Sequence, residues 1–187
     1  MANPFEAIRA KAGDQQKSVD WYQAQVRKLG AINTNQLMRE GKLTNQILPG
    51  FMYMFYYDPK YKETLPYYDR FPLVLPFRRV PGGFYAINFH YLPYLVRIRM
   101  LEFLNQYATD EGMSENTRLR LSWRLIESSS RLKPIQHCVK HYLNDHVRSR
   151  FLNIPYTDWV TATQLPVERF IGAKKDTVWR ETRKKYL

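Results

Sequence analysis

The chain has 187 residues, of which 44% are hydrophobic and 15% aromatic, and it carries 29 lysines and arginines against 17 aspartates and glutamates. This apolar content excludes a disordered chain, and the length predicts a single domain spanning residues 1–187. The formal net charge of +12 predicts an anionic partner. The single Cys138 excludes an intrachain disulfide, and the longest apolar runs are too short for a membrane span, so we expect no membrane partner.

Residues 1–48 are predicted to form a helical N-terminal arm. Apolar residues recur at helical spacing from Pro4 to about Glu40, and Gly13 and Gly30 are predicted helix ends. Because most of this segment is polar, we expect an amphipathic arm that extends from the domain and completes its folding against partner subunits.

Residues 49–92 are predicted to form an aromatic β unit of three short antiparallel strands. The strands are predicted over Gly50 to Tyr57, Phe71 to Phe77 and Phe84 to Tyr91. Turn residues separate them at Asp58-Pro59-Lys60 and at Val80-Pro81-Gly82-Gly83. Since each proline removes a donor of the strand ladder, we expect the middle strand to lie at an edge or to be strongly bent.

Residues 93–187 are predicted to form a helical, basic C-terminal part. The predicted elements are a long helix from Pro93 to Ala108, helices from Ser114 to about Ser128 and from Pro134 to about Asn144, an extended piece from Val147 to Ile154, a short helix near Thr157 to Thr163, and a basic segment from Lys174 to Tyr186. The predicted class is therefore α+β, with a small curled antiparallel sheet of about three or more strands, SH3-like, flanked by several helices.

Candidate reaction centres are incomplete. In the predicted helix, His137 and His141 share one face at the spacing that zinc proteases use, but Cys138 takes the place of the general-base glutamate and no complementary ligands follow. Lysines and arginines interleave with the carboxylates around the first turn, which are Asp58, Glu63 and Asp69. We therefore predict no catalytic residue, no metal ligand and no cofactor, and we interpret Cys138 as a small buried residue.

The excess of basic residues lies mostly in the C-terminal half. The candidate contacts for nucleic acid or an acidic partner are Arg118, Arg120, Arg124, Arg131, Lys140, Arg148, Arg150, Lys174, Lys175, Arg180, Arg183, Lys184 and Lys185. If the C-terminal segment is a helix beside the helix that carries Arg118 to Arg124, these residues form one stripe able to neutralise several phosphates. If they are spread evenly, they form a solvated surface.

Tyrosines are frequent in the β unit. Alternation along Phe51 to Tyr57 favours burial of one set of rings in the core, while protein interfaces and stacking of single-stranded bases also use tyrosine. The candidate interface aromatics are Tyr53, Tyr57, Tyr67 and Tyr68.

Four segments resemble small proteins of large contractile-tailed bacteriophages. They are PGFMYMFYYDPKYKETLPYYDRFPLVLPF (Pro49 to Phe77), GGFYAINFHYLP (Gly82 to Pro93), KSVDWYQAQVRKLG (Lys17 to Gly30) and KHYLNDHVRSRF (Lys140 to Phe151). The resemblance covers most of the chain. It implies a virion or assembly component, found in the virion and in the host cytoplasm during assembly.

Three functions follow from these patterns. The first is a non-enzymatic tail, baseplate or neck protein of a multi-subunit assembly, which acts through contacts with other virion subunits. The second is a DNA-binding protein of packaging, such as a DNA end protector. The third is a small metal-dependent nuclease that uses the acidic cluster or the histidine pair.

Overall fold

The computed structural model describes residues 3–15, 17–108 and 136–186. The α-helices in these ranges are α1 (Pro4–Ala12), α2 (Val19–Lys28), α3 (Thr34–Glu40), α4 (Tyr94–Ala108), α5 (Trp159–Gln164) and α6 (Lys175–Tyr186). The strands are β1 (Leu43–Thr44), β2 (Met52–Met54), β3 (Tyr68–Asp69), β4 (Leu73–Val80), β5 (Gly83–Asn88), β6 (Val139–Leu143), β7 (Phe151–Ile154) and β8 (Phe170–Ile171). The predicted helix from Ser114 to Ser128 lies outside the described residues.

The main sheet has six antiparallel strands in the order β1-β7-β2-β4-β5-β6, and β3 pairs with β8 in a second sheet. The α+β class is confirmed. The predicted three-stranded unit corresponds to β2, β4 and β5, and strands from distant parts of the chain extend it on both sides. The SH3-like description is not confirmed, because β1 and β6 lie at opposite ends of the strand order and do not pair within the described part.

The middle predicted strand, β4, lies inside the sheet, so the expectation of an edge position was wrong. It pairs with β2 on one side and β5 on the other. Proline is tolerated there because the ladder with β2 pairs Leu73 and Val74 and does not reach Pro76. The ladder with β5 shifts register between Pro76 and Arg78, which agrees with the alternative expectation of a bend.

The N-terminal helices follow the predicted boundaries, and Gly13 and Gly30 end α1 and the α2 segment with positive φ angles of 62° and 70°. These helices pack against the domain instead of extending from it. Their buried residues in the main core are Phe5, Ile8, Val26, Leu37 and Met38. The expectation of an extended arm was therefore wrong, since the apolar stripe that defines an amphipathic helix is covered by the same chain.

The predicted helix from Pro134 to Asn144 is also wrong over its described part, because residues 139–143 form strand β6. They pair with Gly83 to Ile87 of β5. Over so few residues, the apolar pattern of a helix is hard to distinguish from that of a half-buried strand. Pairing with the distant strand β5 decides that these residues form a strand. By contrast, the short helix predicted near Thr157 corresponds to α5.

The two faces of the main sheet carry different cores. Alternation along β2 places Met52 and Met54 in a cluster covered by the helices, and Tyr53 in a second, aromatic cluster. The rings of that aromatic cluster are Tyr53, Phe55, Tyr57, Phe84, Tyr142 and Phe151. Within the described residues, no helix is long and apolar enough to cross a membrane.

Candidate nucleic-acid interface

Helix α6 carries the largest group of exposed basic residues in the described part. Its buried stripe consists of Val178, Trp179 and Thr182, and the hydroxyl of Thr182 donates to the Tyr91 carbonyl oxygen at 3.0 Å. Three basic residues of α6 are turned to solvent. They are Arg180, Arg183 and Lys184, with Lys174 exposed just before the helix.

Lys175, at the start of α6, is already engaged within the protein. Its ammonium group lies 3.1 Å from Glu168 Oε1 and 5.4 Å from the centre of the Trp179 ring. Lys140 on β6 is half-buried, with its ammonium group 4.1 Å from the centre of the Tyr91 ring. Both side chains are therefore less available to a partner than the exposed arginines of α6.

Arg148 and Arg150 precede β7 and are exposed. Arg148 donates to the carbonyl oxygen of Asp145 at 3.2 Å, and Arg150 donates to Asn45 Oδ1 at 2.9 Å and to the Leu43 carbonyl oxygen at 3.1 Å. These acceptors are neutral. The guanidinium groups are thus held in place while their charges stay available to an anion.

The described basic candidates occupy separate elements. Lys140 lies on edge strand β6, and three strands separate β6 from β7, which Arg150 precedes. Arg118, Arg120, Arg124 and Arg131 lie outside the described residues, as does the side chain of Lys185. The single stripe from Arg118 to Lys185 therefore stays a prediction.

The candidate interface tyrosines divide into two pairs. Tyr53 and Tyr57 are only 2% and 7% exposed, and their hydroxyls accept from the backbone N–H of Leu48 and Leu143, both at 3.1 Å. Their proposed interface role is corrected, because these rings fill the core. Tyr67 and Tyr68 are half-buried, and the Tyr67 hydroxyl donates to Glu181 Oε2 at 2.7 Å.

A buried polar network surrounds Asp69, a residue of the predicted acidic cluster. Asp69 accepts from His90 Nδ1 at 2.7 Å, from the N–H groups of Phe71 at 3.0 Å and Arg169 at 3.1 Å, and from Asn88 at 3.2 Å. Burial opposes ionisation, but the charge and hydrogen bond of His90 outweigh it and hold the pKa of Asp69 below its usual value. The carboxylate is enclosed and saturated with donors, which does not fit a nuclease centre.

A second buried ionic group lies among the helices. Arg97 is fully buried on α4 and donates to the carbonyl oxygens of Leu92 at 2.8 Å, Thr163 at 3.0 Å and His90 at 3.3 Å. Its Nη2 lies 3.9 Å from Glu168 Oε2. Sequence analysis missed both Arg97 and His90, because an isolated arginine or histidine in an apolar segment gives no signal of the carbonyl groups it will meet.

The histidine and cysteine candidates lie on or beside β6 and share no helix face. His141 is exposed and stacks on Tyr85, with ring centres 4.7 Å apart. Cys138 is fully buried, and burial raises the pKa of its thiol to about 12. Across the described ranges, no group of three or more His, Cys, Asp or Glu side chains could hold a metal ion.

A cleft of about 610 Å³ opens at the end of the aromatic cluster. We call it the amide cleft, because its polar lining includes Asn45, Gln46 and Asn144, together with Arg79. Sequence analysis treated Val80 to Gly83 only as a turn. The adjacent Arg78-Arg79 pair was the available signal, and only the fold brings Arg79 beside residues that lie far along the chain.

The chain is similar to a known protein family. The family model described as Phage T4 terminal DNA protecting protein matches residues 6–185, which is nearly the whole chain. The searches of curated proteins and of solved structures gave no significant match.

Proposed function

The chain belongs to the family of phage T4 terminal DNA protecting proteins, and we propose that it binds the ends of linear phage DNA and protects them. The match over residues 6–185 carries this proposal. We propose that the protein acts in the infected host cell and stays on the DNA in the virion.

The charge of the protein supports this function. A net charge of +12 attracts the phosphate backbone irrespective of sequence, which suits a protein that must bind whatever sequence lies at an end. Arg180, Arg183 and Lys184 are exposed, and no carboxylate of the described residues lies within ion-pair distance of them. Helix α6 is therefore our candidate for the phosphate contacts.

The tail, baseplate or neck role predicted from the sequence receives no support from the family match, which favours the DNA end protector. Association with other virion subunits stays a prediction. It is compatible with end binding, since DNA ends in an assembled particle lie beside protein.

The test compares one linear double-stranded DNA with the same sequence as a covalently closed circle. We expect the protein to bind the linear form more tightly and to slow its digestion by an exonuclease. Equal affinity for both forms, together with no protection, would falsify the proposal.

The role of α6 is tested by replacing Arg180, Arg183 and Lys184 together with glutamine. If each contacts one phosphate, the slope of log affinity against log salt should become shallower by about 3, at roughly 0.9 per contact. The matched control replaces the exposed Arg27, Lys28 and Arg39, which removes the same charge from other helices. An equal loss in both triple variants would show a general charge effect instead of contacts by α6.

A further inference from the structure

The amide cleft is formed by three segments that only the sheet brings together. Asn45 and Gln46 follow β1, Arg79 and Val80 end β4, and Asn144 follows β6. The cleft lies beside the aromatic cluster, away from the core that the helices cover. Its volume of about 610 Å³ falls within the range of roughly 300–1,000 Å³ that is typical of small-ligand sites.

The polar lining of the cleft suits an anion. Its described residues include the cation Arg79, three side-chain amides and Ser149, and they include no carboxylate. Arg79 donates to the carbonyl oxygen of Ile47, so its guanidinium group is positioned by a neutral acceptor. Arg150 donates to Asn45 Oδ1 at 2.9 Å and adds a second positive charge beside the wall. A guanidinium group presents paired donors that match the oxygens of a phosphate.

The remaining lining is apolar. Ile47, Phe84, Val147 and Phe151 form this part of the wall, and Phe84 and Phe151 belong to the aromatic cluster. A ligand that satisfies the whole cleft therefore combines a phosphate, a flat apolar group and polar edges for the amides. Asparagine and glutamine amides pair with the edges of nucleobases. A mononucleotide unit has all three features.

A concave site accepts a nucleotide only after that nucleotide leaves the base stack. Leaving the stack costs a few kcal/mol within a duplex and less where pairing is already weakened, and the last nucleotide has a stacking neighbour on one side only. A terminal 5′-phosphate also carries more negative charge than an internal phosphodiester. Both features distinguish an end from the interior of the DNA.

We propose that the amide cleft binds the terminal nucleotide of a DNA strand, with its 5′-phosphate on Arg79 and its base against the apolar wall. This inference rests on the proposed end-binding function and supplies a physical basis for its selectivity for ends. Helix α6 binds the backbone whether or not an end is present, and the cleft adds the affinity that requires one.

The test measures affinity for linear and covalently closed DNA with two cleft variants, Arg79→Gln and Asn144→Asp. Asn144→Asp keeps the side-chain shape and adds a negative charge, so it tests the cleft even if Arg79→Gln shifts the segment around Ile47. We expect each variant to lose about tenfold in affinity for 5′-phosphorylated linear DNA, as for a lost charge-assisted contact. Affinity for closed circles should change less than about threefold, because a single phosphate contact contributes little to nonspecific binding.

Removing the terminal phosphate distinguishes phosphate binding in the cleft from general attraction between DNA and the positively charged protein. Dephosphorylation should weaken binding of the wild type and have no further effect on Arg79→Gln. The control variant Arg39→Gln removes one exposed charge on α3 and should retain the full phosphate effect. A free deoxynucleoside 5′-monophosphate should compete only at concentrations far above those of DNA ends.

The outcomes distinguish the two proposals. Suppose that the wild type prefers linear DNA, that both cleft variants bind it as tightly as the wild type, and that dephosphorylation does not weaken binding. The cleft assignment is then wrong and end binding stands. If a free mononucleotide binds as tightly as a DNA end, the cleft is a nucleotide site and not an end site. If the wild type itself shows no preference for linear DNA, end binding fails first.

Discussion

On the helical face of the main sheet, a fully buried guanidinium group and a carboxylate lie beside the rings of Tyr94 and Trp179, whereas on the opposite face six aromatic rings contact one another. Arg97 and Glu168 belong to the first face. Backbone carbonyl oxygens accept from Arg97, and the Glu168 carboxylate accepts from the Tyr94 hydroxyl and pairs with Lys175. The second face is held by edge-to-face and stacked rings, such as Phe55 and Phe151 with centres 5.0 Å apart. The hydroxyls of Tyr53 and Tyr57 accept from backbone N–H groups.

The Asp69–His90 pair lies where these two regions meet. Asn88 donates both to Asp69 and to the hydroxyl of Tyr142 in the aromatic cluster, while the carbonyl oxygen of His90 accepts from Arg97 and from Trp179. Hydrogen bonds and ion pairs therefore position the buried polar side chains on the helical face. Ring packing fixes the other side and leaves the amide cleft open at its end.

The largest expected effect comes from Arg97→Ala. Removing the guanidinium group takes a donor from the carbonyl oxygens of Leu92 and Thr163 and leaves Glu168 without its buried cation. We therefore expect a loss of about 4 kcal/mol in the free energy of unfolding. Denaturant unfolding measures it. Arg99→Ala on the same helix is the control, since that side chain is exposed and should cost less than about 0.5 kcal/mol. Equal losses in the free energy of unfolding for the two variants would show that the buried charge of Arg97 does not stabilise the fold more than an exposed one.

A somewhat smaller effect is expected from Phe55→Ala on the aromatic face. Phe55 is fully buried and contacts the rings of Tyr57, Phe84, Tyr142 and Phe151. Creating a cavity there should cost about 3 kcal/mol. Tyr61→Ala, at a ring that is 63% exposed, should leave the free energy of unfolding nearly unchanged. If Phe55→Ala is as mild as Tyr61→Ala, the aromatic cluster is not a second core.

The smallest expected effect is a loss of stability at acidic pH. His90 holds the pKa of Asp69 below its usual value against the opposing effect of burial, and His90, Arg97 and Lys175 do the same for the pKa of Glu168. A lowered pKa contributes stability that is present above the ordinary value of about 4 and is lost as pH falls through the folded-state value. The midpoint of thermal unfolding should therefore fall steeply below about pH 4.

Asp69→Asn checks the origin of this acid sensitivity. The variant should be less stable than the wild type at pH 7, and the difference should narrow as the pH is lowered below about 4. Asp58→Asn is the control, because Asp58 pairs with Lys62 near the surface, where solvent screens the interaction. A constant difference between Asp69→Asn and the wild type at all pH values would contradict the assignment.

Local patterns of the sequence predicted much of the secondary structure. The glycine stops and helical spacing gave α1 and α2, the strand-and-turn pattern gave β2, β4 and β5, and the spacing after Pro93 gave α4. The candidate site was less predictable. Exposed positions on α6 follow from its helical period, but Arg79 becomes a cleft residue only beside Asn45 and Asn144, which lie at distant positions in the chain.

By itself, the sequence determined the α+β class, the positive charge and the positions of the local helices and turns, because these depend on composition and on residues that are neighbours in the chain. Tertiary structure alone decided that residues 139–143 form a strand, that the N-terminal helices pack inward, and that Arg97 and His90 are buried. Each of these outcomes depends on partners supplied by distant segments. The stabilising contacts do not exist until the chain has folded, so no local pattern encodes them.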